Sequence, residues 1–223
     1  MKVTTDACLF GAWVAEQVKR ENSGVKHVLD AGTGTALLSL MYAQKNTAVS
    51  IDAIEIDKDA FEQAEQNVEA SPFPERIRVL HGDVKTFRFE KKYDHIIANP
   101  PFYESELMSD NEKKNLAHHH EGLLLDELLL FIKANIAVDG LFSLLLPYKR
   151  NKEIKNLFRG FDIKQITFVR QSGVHDYFRI MLTGKLKNDV ETETIIDEIQ
   201  IRDDQQQYTE EFITLLKDYY LHL

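Results

Sequence analysis

The residues best suited to chemistry in this 223-residue chain lie where a short apolar segment meets two prolines. Residues 96–98 predict the end of a buried strand, and Asn99-Pro100-Pro101-Phe102 follows directly. Each proline fixes φ and lacks an N–H donor, so the strand must stop there. The turn that follows presents an amide side chain, carbonyl groups and an aromatic ring. Such a set can bind a planar amino group and stack on the ring that carries it, which makes these four residues candidate catalytic residues.

A glycine-bearing turn follows the first predicted strand. It begins at Asp30 and contains Gly32 and Gly34. The glycines let the backbone pass close to a ligand, and the N-terminus of the following helix favours an anion such as a carboxylate. The third glycine of a dinucleotide-binding fingerprint is absent, because Leu37 occupies that position. The turn therefore indicates a ligand site of a different type.

The second and third predicted strands end in acids that suit a nucleoside. Glu55 can accept hydrogen bonds from both hydroxyl groups of a ribose. Asp83 can accept a hydrogen bond from the amino group of an adenine, and Val84 can pack on the ring. Four consecutive strand ends of this kind indicate a nucleoside cofactor site beside a reacting site. We assign to cofactor binding the residues Asp30, Gly32, Gly34, Glu55, Ile56, Asp83, Val84 and Asn99.

The elements that must position these residues alternate between strand and helix. The first five strands are continuous apolar runs, which is typical of a parallel sheet covered on both faces. We predict an α/β, Rossmann-like fold with a mostly parallel seven-stranded sheet and an antiparallel last strand. Ligands bind outside the carboxyl ends of the strands in such sheets, so all four strand ends should share one edge.

We predict a single domain over residues 1–223, with an N-terminal helix in 1–24, a Rossmann-like core in 25–184 and a C-terminal strand or loop and helix in 185–223. Within the last two parts, the pattern predicts a helix over 123–138 and a strand over 141–146. Residues 194–201 are expected to form an edge strand or a loop. A C-terminal helix is predicted over 208–221.

Composition excludes several classes of protein. The single cysteine, Cys8, rules out an intrachain disulfide, and no segment is long and apolar enough to span a membrane. With a single cysteine and no signal segment visible at the start, we expect a cytoplasmic protein. A monomer is one option, since the sequence does not give the oligomeric state. His118, His119 and His120 are consecutive and cannot all face one ion, so we expect no metal site.

The chain resembles bacterial tRNA (adenine-N6) methyltransferases of the group that modifies the adenine next to the anticodon of a valine tRNA. The turn after Asp30 also resembles the first motif of class I, S-adenosylmethionine-dependent methyltransferases, with Ala36 in place of its last glycine. The resemblance covers nearly all of the chain. The matching pieces are Met1–Asp6 with Gly11-Ala12-Trp13, the Asp30 turn, Glu55, Asp83, Asn99–Tyr103, Tyr208-Thr209-Glu210 and Tyr219-Tyr220.

This resemblance implies a class I methyltransferase fold, S-adenosylmethionine as the cofactor and tRNA as the partner. It adds Lys2, Thr5 and Asp6 to the cofactor-binding residues. It implies that the substrate is bound by Phe102, Tyr103, His118, Lys149, Arg150 and Lys152. His118 departs from the arginine expected at its position, and the chain begins where family members usually carry a short further extension.

The charge distribution agrees with an RNA substrate despite a net charge of −9. Residues 149–170 hold seven basic and two acidic residues, whereas residues 186–223 hold three basic and ten acidic ones. This segregation predicts one face that can contact a polyanion.

The Asn-Pro-Pro-Phe sequence specifies an amino group but not the molecule that carries it. Guanine N2 in ribosomal RNA and a glutamine amide in a protein are alternative acceptors. A nicotinamide-dependent oxidoreductase is disfavoured by Leu37 and the two prolines. A cofactor-binding module without catalysis would leave Asn99 and Phe102 unexplained.

Overall fold

The computed structural model describes residues 3–21, 24–100, 125–188 and 193–222. The helices are α1 (Thr5–Glu21), α2 (Leu37–Lys45), α3 (Lys58–Glu69), α4 (Leu125–Asn135), α5 (Ile154–Leu157) and α6 (Glu210–Leu216). The strands are β1 (His27–Ala31), β2 (Ser50–Glu55), β3 (Ile77–His81), β4 (Tyr93–Ala98), β5 (Ile136–Pro147), β6 (Phe161–Arg170), β7 (Tyr177–Leu186) and β8 (Ile195–Gln200).

All eight strands form one sheet in the order β3-β2-β1-β4-β5-β7-β6-β8. Strands β1 to β5 run parallel, and β7 is antiparallel to both β5 and β6. The predicted Rossmann-like α/β fold with an antiparallel strand near its end is confirmed. The sheet has eight strands rather than seven, because the segment left open as an edge strand or loop forms β8 and pairs in parallel with β6.

Two apolar clusters cover the two faces of the sheet. One joins the apolar sides of α1, α2 and α6 to the sheet and includes Phe10, Trp13 and Phe212. The other joins α4 to the opposite face and includes Leu128 and Phe142. Helix α1 packs directly against α2 and α6, which anchors both ends of the described chain to the same side of the sheet.

The helix predicted over 123–138 is wrong at its end, and the following strand begins earlier than predicted. Helix α4 stops at Asn135, and β5 starts at Ile136, which pairs with Tyr93. The apolar pattern continues through the boundary, so periodicity alone could not locate it. Gly140 allows the chain to pass this point, because a Cβ there would lie 2.7 Å from Ile136 Cγ1 and 2.9 Å from the Tyr93 carbonyl oxygen.

The C-terminal helix is also shorter than the predicted span of 208–221. It runs from Glu210 to Leu216, and Thr209 caps it by accepting a hydrogen bond from the Phe212 N–H. The apolar residues beyond it still pack on the core, since Tyr219 and Tyr220 contact the α1–α2 cluster. The spacing of these apolar residues therefore indicated that they pack on the core, not that they are helical.

Among the residues that the structure describes, none of the helices has the length and apolar character that a membrane span requires. Within these same parts of the chain, no three His, Cys, Asp or Glu side chains are grouped as metal ligands would be. The three consecutive histidines lie outside the described residues.

Candidate active site at the carboxyl edge of the sheet

The register of the sheet brings four predicted strand ends to one edge. Asp30 of β1 is paired with Ile97 of β4, two residues before Asn99. On the other side of β1, Ala31 is paired with Ile54, so Glu55 comes directly after that row. Strand β3 follows outside β2, and the residues after its end extend the same edge to Asp83. The strand order reverses direction between β1 and β4, which is where ligands bind in open α/β sheets.

The turn after β1 is held open by its backbone conformation. Gly32 and Gly34 have φ values of 74° and 60°, a region that glycine adopts without strain. The N–H groups of Gly32 and Thr33 donate to the Ile54 carbonyl at 3.0 and 2.9 Å, which fixes the turn against β2. A Cβ on Gly32 would have no atom within 4 Å, so this part of the turn borders open space.

Ala36 continues the same unusual backbone into the N-terminus of α2. Its φ of 66° is left-handed, and it is fully buried. Alanine in this conformation costs about 1–2 kcal/mol relative to an unstrained backbone. The alanine in place of the last glycine therefore adds strain to the turn.

Asp30 is the most deeply buried acid of this edge. Its Oδ2 accepts hydrogen bonds from the hydroxyl groups of Thr33 at 2.6 Å and Ser39 at 2.7 Å. Its Oδ1 is buried and has no hydrogen-bond partner among the described residues. Burial raises the pKa of Asp30 from 3.8 to about 6, and the nearby charge of Glu55 acts in the same direction. A cationic ligand beside Oδ1 would stabilise the ionised form.

Glu55 is bound by backbone N–H groups on both sides of its carboxylate. Its Oε1 accepts from Ile56 and Asp57 at 2.9 Å each, and its Oε2 accepts from Gly34 at 2.8 Å. Each carboxylate oxygen offers about two acceptor positions, so Oε2 keeps one position beyond its bond to Gly34. Ile56, by contrast, leaves 58% of its side chain exposed next to this carboxylate.

The turn after β3 contains the two residues that were predicted to contact an adenine. Asp83 is half-buried, and its Oδ1 accepts a hydrogen bond from the Lys85 N–H at 2.9 Å. Val84 is 9% exposed and belongs to the cluster on the α4 face. Gly82 is required between them and the strand, because a Cβ there would lie 2.8 Å from the Phe87 ring.

Asn99 and Pro100 follow β4 at the centre of the edge. Asn99 is half-buried and Pro100 is buried. Five of the predicted site residues lie outside the described residues: Lys2, Pro101, Phe102, Tyr103 and His118.

The N-terminal motif reaches the same edge through an ion pair that the sequence did not reveal. Arg179 of β7 donates from Nε to Asp6 Oδ2 at 2.7 Å. Burial alone would raise the pKa of Asp6, but hydrogen bonds from Thr4 and Arg179 hold it below its ordinary value. Thr5 is exposed at the first position of α1. Asp6 thus joins the start of α1 to β7.

The predicted substrate-binding cations follow β5 in a short 3-10 helix, Tyr148–Lys152. Lys149 and Lys152 are exposed, and Arg150 donates to Glu153 Oε2 at 2.9 Å. Since β5 is parallel to β4, this basic turn lies at the same carboxyl edge of the sheet as Asn99.

The comparisons with known proteins place the chain in a family. A family model described as methyltransferase small domain matches residues 13–141. A Flavobacterium johnsoniae protein named tRNA1(Val) (adenine(37)-N6)-methyltransferase is 34% identical over 230 residues, which cover 100% of this chain and 94% of the relative. The chain belongs to this methyltransferase family.

Another member of the tRNA1(Val) (adenine(37)-N6)-methyltransferase family, from Dyadobacter fermentans, is 49% identical over 147 residues, which cover 66% of this chain and 59% of that relative. Among solved structures, a predicted O-methyltransferase from Agrobacterium tumefaciens superimposes with a TM-score of 0.72, a sequence identity of 17% and 94% coverage of both chains. At this identity the match confirms the class I methyltransferase fold alone.

The cofactor of the family is S-adenosylmethionine, and the edge described above fits it in three respects. Its cationic methionine part suits Asp30 Oδ1, which is buried and has no hydrogen-bond partner in the described parts of the chain. The open space at Gly32 leaves room for a ligand to approach the backbone of the turn that follows Asp30. The exposed side chain of Ile56 supplies an apolar surface, and the neighbouring Glu55 keeps one acceptor position on Oε2 for a ribose hydroxyl.

Proposed function

We propose that this chain transfers a methyl group from S-adenosylmethionine to the N6 amino group of adenine 37 in a valine tRNA. The proposal rests above all on Asn99, which follows β4 at the reversal point of the sheet, with the Asp30 turn on the neighbouring strand. An amide oxygen at this point can accept a hydrogen bond from an amino group beside the cofactor site. The names of the relatives supply the identity of the nucleotide.

In this proposal the cofactor is held by the residues of three neighbouring strand ends. Asp30 and the glycine turn bind its methionine part, Glu55 binds the ribose, and Ile56, Asp83 and Val84 surround the adenine. Lys2, Thr5 and Asp6 close the site from the N-terminal side. When bound, S-adenosylmethionine supplies an electrophilic methyl carbon on a sulfonium.

Asn99 and Pro100 act on the substrate amino group. Adenine N6 is a poor nucleophile, because its lone pair is delocalised into the ring. The Asn99 side-chain oxygen and the Pro100 carbonyl accept its two hydrogens, which draws the nitrogen toward tetrahedral geometry and directs the lone pair at the methyl carbon. Positioning of this kind can supply roughly 7–11 kcal/mol. The amino proton becomes acidic as the C–N bond forms and the C–S bond breaks, and it passes to water, so a strong base is not required.

Pro101, Phe102 and Tyr103 complete the substrate side in the proposal. Phe102 stacks on an adenine that has rotated out of its neighbours, an interaction worth about 1–3 kcal/mol per base. Lys149, Arg150, Lys152 and His118 contact the RNA backbone. The whole chain works as one domain, because α1 and α6 pack on the same cluster as the sheet.

Two variants of Asn99 test the assigned chemistry. Asn99→Ala removes the acceptor oxygen and should lower kcat by about 10²–10³, the loss typical of one electrostatic contact in a transition state. Asn99→Asp keeps an acceptor and should lose less. Thermal melting confirms the fold of both variants, and methyl transfer by Asn99→Ala within threefold of the original protein would contradict the role of Asn99.

The acceptor is tested with labelled S-adenosylmethionine and three separate substrates: total tRNA, ribosomes and a peptide release factor. Label should enter tRNA, and mass analysis of its nucleosides should identify N6-methyladenosine. Label in ribosomal RNA guanine or in a glutamine amide would replace the proposed function with one of its alternatives.

A further inference from the structure

Three aromatic side chains meet at the carboxyl edge of the sheet beyond β4. Tyr148 follows β5, Phe168 lies near the end of β6, and Tyr177 begins β7. Their ring centroids are 5.6 Å apart for Tyr148 and Phe168, 5.2 Å for Tyr148 and Tyr177, and 5.3 Å for Phe168 and Tyr177. All three are half-buried. We call Tyr148, Phe168 and Tyr177 the aromatic triad.

The triad differs from the core behind it in its polar surroundings. The Tyr177 hydroxyl donates to Glu198, and the Arg170 guanidinium lies 5.7 Å from the Tyr177 ring centre while it pairs with the same carboxylate. Lys149 and Lys152 follow Tyr148 and are exposed. Aromatic faces interleaved with cations are typical of surfaces that bind single-stranded nucleic acid, because bases stack while the cations contact phosphates.

The sheet places the triad close to Asn99. Ala98 of β4 is paired with Leu144 of β5, so Asn99 and Tyr148 both lie past the same edge. Strand β7 is the next neighbour of β5, with Pro147 opposite Arg179. The triad belongs to the three strands next to β4, in the order β5, β7 and β6, so it spans roughly 5–15 Å across the sheet at about 5 Å per strand. Asn99 comes one residue after the Ala98–Leu144 row and Tyr148 four residues after it, which adds roughly 10 Å along the strand direction. This separation suits an adjoining nucleotide better than the reacting base itself.

Rotation of an adenine into a site at Asn99 leaves its neighbours in the RNA without a stacking partner. We propose that the aromatic triad is a subsite that stacks an unpaired base adjoining the methylated adenine. This inference rests on the proposed function and adds to it a second nucleotide contact. Tyr177 is the residue to test, since Tyr148 and Phe168 also pack against the core cluster on the α4 face.

Binding of an anticodon stem-loop RNA tests the subsite from the protein side. Tyr177→Leu removes the ring and should weaken RNA binding about 5- to 150-fold, the range measured for loss of one stacked base. Tyr177→Phe keeps the ring and loses only the hydroxyl contact with Glu198, so it should restore most of the affinity. Equal affinities of the Leu and Phe variants would overturn the inference. The affinity for S-adenosylmethionine reports whether each variant is folded.

The RNA side provides a second test that uses the unaltered protein. Two stem-loops each carry an abasic residue in place of one nucleotide that flanks the target adenine. One of them should bind more weakly to the unaltered protein, while Tyr177→Leu should show little further loss with that RNA, as coupled partners do in a double-mutant cycle. Additive losses at both flanking positions would overturn the subsite. A protein that methylates no tRNA would instead refute the proposed function, and the subsite with it.

Discussion

Replacing Asp30 by asparagine should make the stability of the protein depend steeply on pH between about 4.5 and 6. Two buried groups on neighbouring strands determine this result. Burial raises the pKa of Asp30 from 3.8 to about 6, and burial lowers the pKa of His95 from 6.5 to about 3. His95 is enclosed by hydrogen bonds to the Tyr42 hydroxyl and Ser143 Oγ at 3.0 Å each.

The two groups have opposite signs in this pH range. Asp30 is protonated in the folded protein and ionised in the unfolded chain, so its contribution to stability falls as pH rises. His95 is neutral in the folded protein and protonated in the unfolded chain, so its contribution rises with pH. The folded state holds one extra proton on Asp30 and the unfolded state holds one on His95, so the two effects cancel. Together these two groups leave the free energy of unfolding of the unaltered protein nearly independent of pH in this range.

Asp30→Asn removes one side of this balance. The unfolded state then binds one more proton than the folded state, and the free energy of unfolding should fall by about 1.4 kcal/mol for each unit that the pH is lowered. From pH 6 to pH 4.5 the loss is about 2 kcal/mol, or roughly 1 M in the urea midpoint. Neutral asparagine can still accept the hydrogen bonds from Thr33 and Ser39.

Urea denaturation at several pH values between 4.5 and 6 measures the effect. His95→Gln is the matched control, because it removes the other group and should give a stability that rises as the pH is lowered over the same range. A profile for Asp30→Asn as flat as that of the unaltered protein would refute the opposing protonation of these two buried groups.

Two further variants test contacts at the same edge of the sheet. Asp6→Asn breaks the ion pair with Arg179 and should cost about 1–2 kcal/mol at pH 7 in urea denaturation. Because the pKa of Asp6 is lowered in the folded protein, this cost should shrink as the pH falls below 3.8 through the folded pKa. Asp59→Asn, on the exposed surface of α3, is the control. An equal cost of Asp6→Asn at pH 7 and pH 3 would contradict the pairing. Glu55→Gln should lower the affinity for S-adenosylmethionine about 10- to 150-fold in calorimetric titration, the range for hydrogen bonds to a charged group. Glu62→Gln, on the exposed side of α3, should leave that affinity as it is, and a similar affinity for both variants would show that Glu55 does not bind the ribose.

Sequence patterns located the strands wherever an apolar run had distinct breakers at its ends. The end of β4 at Ala98 was predicted as observed, since two prolines follow it one residue later. The start of β5 was not predicted, because Ile136 continues the apolar period of α4 and only pairing with Tyr93 makes it a strand.

The sequence also predicted where the site residues lie along the sheet, but it did not predict which groups their side chains contact. Parallel topology alone places Asp30, Glu55 and Asn99 at one edge. The Asp6–Arg179 pair joins residues far apart in the sequence, and a basic residue within an apolar strand gives no sign of its partner. The Gly34 N–H that binds Glu55 was also unforeseen, because its direction depends on the φ values of the glycine turn.

Strand β8 gives the sheet an outer edge with an unusual sequence of side chains. Ile195 and Ile196 are 60% and 65% exposed, and two acids, Asp197 and Glu198, follow them. An edge strand with exposed apolar residues is a template for a strand from another molecule. Asp197 accepts hydrogen bonds from Gln165 and Thr167, which keeps a carboxylate beside the isoleucines. Two such edges brought together would place like charges near each other, so the acids of β8 disfavour the pairing of this edge with a second copy of itself.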